Sequence, residues 1–263
     1  MNLYKIGGAL ATLVCIGILV FSYFSWQEKL EAAGNPTREA STQTVNAKSK
    51  TQTTQTASND DNSVNTELFD NMDESVRNLF VEKNENNEVL QLLIMGSKAL
   101  EFGDPGYAER FQSSIESAYG ESVNITIDSI DGTSDALQFV NLEAGYDVVL
   151  LEPLTLMNND RLSIEEERQD IEDFSVRLEQ TNPNAVVVLH PPQPIYGAGY
   201  YRAQVQALEE FADLYGYPYI DHWNAWPATD DISLKEHLNE DAVPNSKGAE
   251  TWATELNNYF IAN

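Results

Sequence analysis

The pattern of apolar and polar residues divides the chain into three stretches. Residues 6–26 form an uncharged apolar run, residues 34–65 are rich in Ser, Thr, Gln and Asn, and later residues alternate short apolar runs with amphipathic segments. About 20 apolar residues, each rising about 1.5 Å in a helix, match the hydrocarbon thickness of a bilayer. The polar stretch has too little apolar surface to offset its ordering entropy. The pattern predicts a transmembrane signal anchor at 1–33, a disordered stalk at 34–65 and a globular domain at 66–263.

The globular part alternates predicted strands with predicted helices. Five apolar runs are predicted strands, at 89–96, 123–130, 146–153, 185–192 and 217–223. Helical periodicity predicts a lead-in helix at 68–80 and further helices at 106–119, after 133, at 163–180, at 201–215 and at 247–260. Apolar strands interleaved with helices predict a parallel sheet covered on both faces, which is a three-layer α/β sandwich.

Composition excludes some classes of partner. The chain has 42 acidic and 15 basic residues, for a formal charge of -27. We do not expect the chain to bind nucleic acid, because binding to phosphates requires clustered Lys and Arg. The acidity indicates solubility, and nothing in the sequence identifies a cationic partner. No metal-ligand cluster, phosphate-binding glycine loop or dinucleotide motif is present, so no cofactor is expected. The single cysteine, Cys15, lies in the apolar run, so no intrachain disulfide forms.

The N-terminal apolar run is better interpreted as an uncleaved anchor than as a cleaved signal peptide. It exceeds the usual signal-peptide length of about 7–15 apolar residues and ends without a small-x-small site. Flanking charge says little about orientation, because Lys5 precedes the run and Lys29 and Arg38 follow it. The stalk suits a domain held away from a membrane. We therefore expect a single-pass membrane protein whose domain is extracellular, in a bacterial cell envelope.

Polar residues with acyl-transfer chemistry lie at the carboxyl ends of the predicted strands, where ligands bind in such sheets. They are Ser97, Gly132, Asn158, Asn159, His190 and His222. A serine after a buried strand and a glycine can present its hydroxyl as a nucleophile, and Gly and Asn can donate to an oxyanion. Taken alone, the serine, the glycine and the asparagines are more typical of turns and helix caps, and a lone histidine is more often structural than catalytic.

Taken as an ordered set, these segments resemble the SGNH/GDSL hydrolases. The set consists of Gly-Ser after the first strand, Asp-Gly after the second, Asn-Asn-Asp after the third and Pro-Asn-Ser-Lys-Gly before the last helix. The resemblance covers residues 89–263. It implies a five-stranded flavodoxin-like sheet, a serine nucleophile, Gly and Asn oxyanion donors, and an Asp-x-x-His block before the last helix.

The sequence departs from the family pattern at the residues that carry the chemistry. A gap-free match of the GDS block places Ser97 at its Asp and Lys98 at its nucleophile, so Ser97 becomes the nucleophile only after a one-residue shift. The last block places Val243 at the His and Glu240 at the Asp. Because valine cannot relay a proton, the usual dyad is missing.

Two interpretations follow from these departures. In the first, the protein is an SGNH-type esterase or O-acyl transferase acting on envelope carbohydrate or lipid, with Ser97 as nucleophile and His222 or His190 as base. In the second, the fold is kept and the chemistry lost, leaving a binding or scaffolding domain. Five aromatic residues are candidates for a carbohydrate groove in that case: Tyr196, Tyr200, Tyr201, Trp223 and Trp226. The acidic run at 165–167 is expected to be a solvated helix face.

Overall fold

The computed structural model describes residues 65–262. The predicted anchor at 1–33 and all but the last residue of the predicted stalk lie outside this range. Within it, no helix combines the length and the apolar character that crossing a membrane requires.

Four parallel strands form one sheet. They are β1 (Leu90–Ser97), β2 (Val123–Ile130), β3 (Val148–Leu151) and β4 (Val186–Leu189), and their order in the sheet is β2-β1-β3-β4. In β3 every residue is buried, as expected for a central strand of a covered parallel sheet. The order is that of a flavodoxin-like sheet with its last strand left out.

The prediction of a fifth strand is wrong. The segment at 217–223 contacts β4 through one bridge, in which the N–H of Leu189 donates to the carbonyl of Pro218 and the N–H of Ile220 donates to the carbonyl of Leu189. The ladder cannot lengthen for two reasons. Tyr217 donates its N–H to the end of the preceding helix, at Ala212, and Asp221 caps a 3-10 helix that begins at the next residue.

Six α-helices and six 3-10 helices accompany the strands. The α-helices are α1 (Glu74–Asn86), α2 (Tyr107–Tyr119), α3 (Thr155–Asn158), α4 (Ile164–Thr181), α5 (Gly199–Tyr215) and α6 (Ser246–Phe260). The 3-10 helices are Thr66–Phe69, Lys98–Glu101, Gly120–Ser122, Ser134–Phe139, His222–Ala225 and Ile232–His237. These counts refer to residues 65–262. The predicted lead-in helix is thus a 3-10 turn followed by α1, and the helix predicted after residue 133 is of the 3-10 type.

Helices cover both faces of the sheet, which confirms the three-layer α/β arrangement. Leu92 and Ile94 of β1 belong to a core that includes residues of α1, α2 and α6. Leu93 and Met95 point the other way, into a core with residues of α4 and α5. The alternation follows from the two-residue period of a strand.

The segment before α1 is held to the end of α6. The carbonyl of Leu68 accepts a hydrogen bond from the N–H of Ala262 at 2.9 Å. The Tyr259 hydroxyl donates to the Asp73 carboxylate, also at 2.9 Å. The lead-in segment is therefore part of the folded domain.

Candidate active site

The parallel sheet brings the predicted site segments to one edge. β1 ends at Ser97, while Asp131 and Gly132 follow β2, Glu152 follows β3 and His190 follows β4. The carboxyl ends of neighbouring parallel strands lie side by side, so these residues surround one region of the surface.

Ser97 is held by a buried carboxylate that the sequence analysis did not select. Its backbone N–H donates to Oε2 of Glu152 at 2.7 Å, which places that carboxylate beside the serine. The Ser97 Oγ accepts the N–H of Ala99 at 3.3 Å, so the side chain caps the following 3-10 helix. Only 6% of Ser97 is exposed. Ser97 and Glu152 therefore form a coupled pair at the site edge.

Glu152 is fully buried, and its position depends on a glycine. A Cβ atom on Gly96 would lie 2.7 Å from the Cβ of Glu152 and 3.0 Å from its Oε2. The second carboxylate oxygen accepts the N–H of Leu154 at 2.9 Å. Burial raises the pKa of Glu152, opposed by the hydrogen bonds from Ser97 and Leu154. The sequence signal was a lone carboxylate ending an otherwise apolar strand.

Lys98 points outward and pairs with the end of the neighbouring strand. Its Nζ lies 2.9 Å from Oδ2 of Asp131, with the two side chains 54% and 80% exposed. The hydrogen bond that Lys98 donates to the Asp131 carboxylate raises the pKa of Lys98, so the amine stays protonated at neutral pH. The residue at the family's nucleophile position is thus a solvated cation.

Asn158 is buried, and its amide is already committed. Its Nδ2 donates to Oε2 of Glu167 at 2.6 Å and to Oγ of Ser134 at 3.1 Å, and its Oδ1 accepts the N–H of Ser134 at 2.8 Å. Both amide hydrogens are used within this cluster. Asn158 therefore ties the loop after β2 to the loop after β3, without a free donor for an oxyanion.

The expectation of a solvated face at 165–167 is wrong for Glu167. This residue is 6% exposed and accepts hydrogen bonds from Asn158 and Thr155, while Glu165 and Glu166 are exposed. Its helix position lies four residues before Ile171, on the buried stripe of α4. Burial raises the pKa of Glu167 to about 7.

Gly132 and Asn159 keep free polar groups. Gly132 has a φ of 149°, which favours glycine, and no hydrogen bond to its N–H occurs within residues 65–262. The Asn159 Oδ1 is buried and has no hydrogen-bond partner in the same part of the chain. The N–H of Gly132 is therefore a free donor for an oxyanion, whereas the free atom of Asn159 is an acceptor.

The two candidate histidines lie in the core and do not hydrogen-bond Ser97. The Nε2 of His222 lies 2.7 Å from the Pro191 carbonyl, and its Nδ1 accepts the indole N–H of Trp226 at 3.0 Å. Both ring nitrogens are therefore used, with the proton on Nε2. The ring stacks on Trp252 at a centroid distance of 4.4 Å, and burial holds the pKa of His222 well below its usual range.

His190 is equally buried. Its Nδ1 lies 3.3 Å from the Pro191 carbonyl, and its Nε2 has no partner among the described residues. Burial lowers the pKa of His190 to about 3. The ring is neutral at physiological pH and packs edge-on against Tyr107 and Trp252.

The segment before α6 forms a helix cap. Oδ1 of Asn245 accepts the N–H groups of Lys247 and Gly248, and a Cβ atom on Gly248 would lie 2.3 Å from the His237 carbonyl. The Pro-Asn-Ser-Lys-Gly block thus supplies the N-terminal cap of the last helix. Val243, at the family's histidine position, contributes no proton-transfer group.

The aromatic residues separate into exposed and buried sets. Tyr196 and Tyr200 are 38% and 69% exposed, whereas Tyr201 and Trp226 are buried. Trp223 is partly buried and donates its indole N–H to the Pro192 carbonyl at 2.7 Å. The ring of Tyr200 is therefore free to contact a ligand by its face, whereas the Nζ of Lys235 lies over the ring of Tyr196, 4.6 Å from its centroid.

No protein-family model and no curated protein sequence matches this chain. Solved structures do match. A candidate GDSL-like lipase from Parabacteroides merdae superposes with a TM-score of 0.55 at 12% identity, over 65% of this chain and 95% of its own. An acetylxylan esterase from Geobacillus stearothermophilus gives 0.52 at 15% identity, over 65% and 94%. A carbohydrate esterase of family 3 from Talaromyces cellulolyticus gives 0.50 at 14% identity, over 65% and 95%.

These similarities agree with the sheet order and with the ordered sequence blocks. The described domain has the fold of the SGNH/GDSL hydrolases.

Proposed function

We propose that the domain is an acyl-ester hydrolase of the SGNH type in which Ser97 is the nucleophile and Glu152 is its base. The observation that carries this proposal is the buried Glu152 carboxylate, which accepts the backbone N–H of Ser97 at 2.7 Å at the carboxyl end of the sheet. A serine nucleophile needs a base close to its hydroxyl. Glu152 is the carboxylate beside Ser97, whereas His190 and His222 make no hydrogen bond to that serine.

The chemistry of this pair follows from the burial of Glu152. A desolvated carboxylate accepts a proton more readily than a solvated one, because burial disfavours the charged form. Glu152 would take the proton of the Ser97 hydroxyl as Oγ attacks the ester carbonyl. The N–H of Gly132 is the unengaged donor for the resulting oxyanion. The proton would then pass to the departing alcohol. In the second half-reaction water would take the place of the alcohol: it would attack the acyl-serine, give its proton to Glu152 and return Ser97 to its free form.

The substrate class and location belong to the same proposal. The substrate class would be acyl esters of carbohydrate or lipid, because the proteins of the same fold are named a lipase, an acetylxylan esterase and a carbohydrate esterase. Membrane anchoring and an extracellular position rest on the apolar run at 6–26 and the polar stretch at 34–65. An O-acyl transferase would use the same acyl-serine, with an alcohol in place of water.

The second candidate function is a non-catalytic binding domain of the envelope. Four observations favour it: Val243 replaces the family's histidine, both candidate histidines are buried, Asn158 is engaged, and Lys98 is paired with Asp131. In this case the strand ends bind a ligand without acyl transfer.

Labelling of the full chain with a fluorophosphonate probe separates the two functions. Ser97→Ala should abolish labelling, and Glu152→Gln should slow it by about 100-fold or more, the usual contribution of a general base. Ser113→Ala is the matched control, because Ser113 is exposed on α2 and should be irrelevant to labelling.

Absence of labelling in wild-type protein that unfolds cooperatively would reject the hydrolase and support the binding domain. Labelling that survives Ser97→Ala would assign the nucleophile to another residue.

A further inference from the structure

A groove of about 960 Å³ runs along the outer edge of the segment at 217–221, and its lining includes none of the candidate active-site residues. Its floor is this segment. One wall is the C-terminal half of α5, with Glu209 and Asp213, and the other is the start of α1, with Asp73 and Glu74. The groove therefore lies at the side of the sheet, with a helix from each outer layer above and below.

The floor of the groove exposes the unpaired backbone groups of Tyr219, the residue at the single bridge to β4. At the bridge between Leu189 and Tyr219, both hydrogen bonds use the backbone of Pro218 and Ile220. In a parallel bridge of this kind, the N–H and C=O of the middle residue point away from the neighbouring strand. Those of Tyr219 have no hydrogen-bond partner among residues 65–262. Tyr219 can therefore pair through one N–H and one C=O with the backbone of an extended segment.

Charge decides which strand fits. The lining includes six carboxylate side chains and, within the described part of the chain, no Lys or Arg: Asp73, Glu74, Glu209, Glu210, Asp213 and Asp221. The acids stand on both walls, so side chains on both faces of an added strand would meet negative charge. A second copy of this chain would place one acidic edge against another, which is repulsive.

We propose that this groove binds an extended, basic peptide segment of another protein, which pairs with Tyr219 and places Lys or Arg side chains between α1 and α5. The proposal does not depend on the Ser97 chemistry, because the groove and the strand-end site are lined by different residues. Burial and the neighbouring carboxylates Asp221, Glu210 and Asp213 raise the pKa of Glu209. A bound cation would relieve that repulsion.

The test uses the full chain and fluorescein-labelled peptides of about eight residues, a length that spans about 26 Å when extended. The binding probe alternates Lys with Thr. One control peptide replaces each Lys with Glu, and another replaces two Thr with Pro, which cannot donate to a ladder. The Lys peptide alone should bind, and it should slow amide exchange in the segment at 216–221.

Matched variants locate the binding. Glu209→Lys with Asp213→Lys changes two exposed residues of the groove and should weaken binding by about tenfold or more. Glu82→Lys with Glu165→Lys makes the same change of net charge at exposed positions outside the groove, and should leave affinity within about twofold.

Equal losses in both variants would assign binding to net charge and overturn the proposal. Equal affinity of the Pro peptide would overturn strand pairing, and absence of binding by the Lys peptide would overturn the site itself. Self-association that the groove variant abolishes would assign the edge to a second copy.

Discussion

The carboxylate of Glu152 accepts the backbone N–H of Ser97 at 2.7 Å across two neighbouring strand ends, and Gly96 leaves the space that this contact needs. The three residues form one unit, because Gly96 lies opposite Glu152 on the same face of the sheet. A substitution at any of them should therefore alter the positions of the other two.

Gly96→Ala should destabilise the domain. The added methyl would lie 2.7 Å from the Cβ of Glu152, so the backbone or the Glu152 carboxylate must move. This movement should lower the free energy of unfolding by about 1–3 kcal/mol. Urea unfolding gives the free energy of unfolding. Gly199→Ala is the control, because no atom lies within 4 Å of its added methyl, and it should change stability by less than about 1 kcal/mol. Equal effects of the two changes would contradict the crowding at Gly96.

Glu167 should make stability fall as pH rises from about 4.5 to about 7. Its ordinary pKa is 4.5 and its pKa in the folded protein is about 7, so in this window the folded chain holds a proton that the unfolded chain has released. At pH 8 the ionised, buried carboxylate costs about 3 kcal/mol relative to pH 4.

Glu167→Gln should remove this part of the pH dependence. A glutamine can accept from Asn158 through its oxygen and donate to Thr155 through its nitrogen, as the hydroxyl turns. Urea unfolding at pH 4.5 and pH 8 should show a smaller difference in the variant than in the wild type. An unchanged difference would show that Glu167 does not titrate in this window.

Trp226→Phe should cost about 1–3 kcal/mol of unfolding free energy, because it leaves Nδ1 of His222 buried without a donor. Trp223→Phe removes an indole hydrogen bond to the Pro192 carbonyl at a partly exposed position, and should cost about 1 kcal/mol. The two variants are compared by urea unfolding. A larger loss for Trp223→Phe would contradict the role of Trp226 in holding the His222 ring.

Lys83→Met and Lys98→Met should differ in their effect on stability. Lys98 pairs with the exposed Asp131. Because such surface pairs contribute little, Lys98→Met should change the free energy of unfolding by no more than about 0.5 kcal/mol. Lys83 lies 3.2 Å from Asp147, whose side chain is only 4% exposed. Its loss leaves a buried carboxylate without its cation and should cost about 1–3 kcal/mol. Equal stability of the two variants by urea unfolding would contradict this difference in burial.

Hydrophobic periodicity predicts most of the fold, because strands that are buried on both faces of the sheet consist of nearly continuous apolar runs in the sequence. Strand β2 occupies the predicted residues, 123–130, and α6 begins within one residue of its predicted start. The segment at 217–223 has the same apolar character as a strand. It pairs at one residue only, because the end of α5 binds its first residue and a 3-10 helix cap begins at Asp221. Hydrophobic periodicity does not contain information about either contact.

The candidate site was only partly predictable. Strand topology alone brings Ser97, Gly132 and the Asn residues to one edge, so their grouping follows from sequence. The partners of each side chain depend on distances of a few ångströms. For this reason Glu152 was missed, and the burial of His222 between Trp226 and Trp252 could not be foreseen.

The contact between the lead-in segment and α6 joins residues that are distant in sequence, since Asp73 and Tyr259 are 186 positions apart. During synthesis, α1 and the sheet emerge from the ribosome before the helix that fixes the segment in front of them. The domain therefore reaches its final form only after nearly all of it has been translated. The same proximity would let a short linker join residues 65 and 262 in a circularly permuted chain, with new ends in an exposed loop.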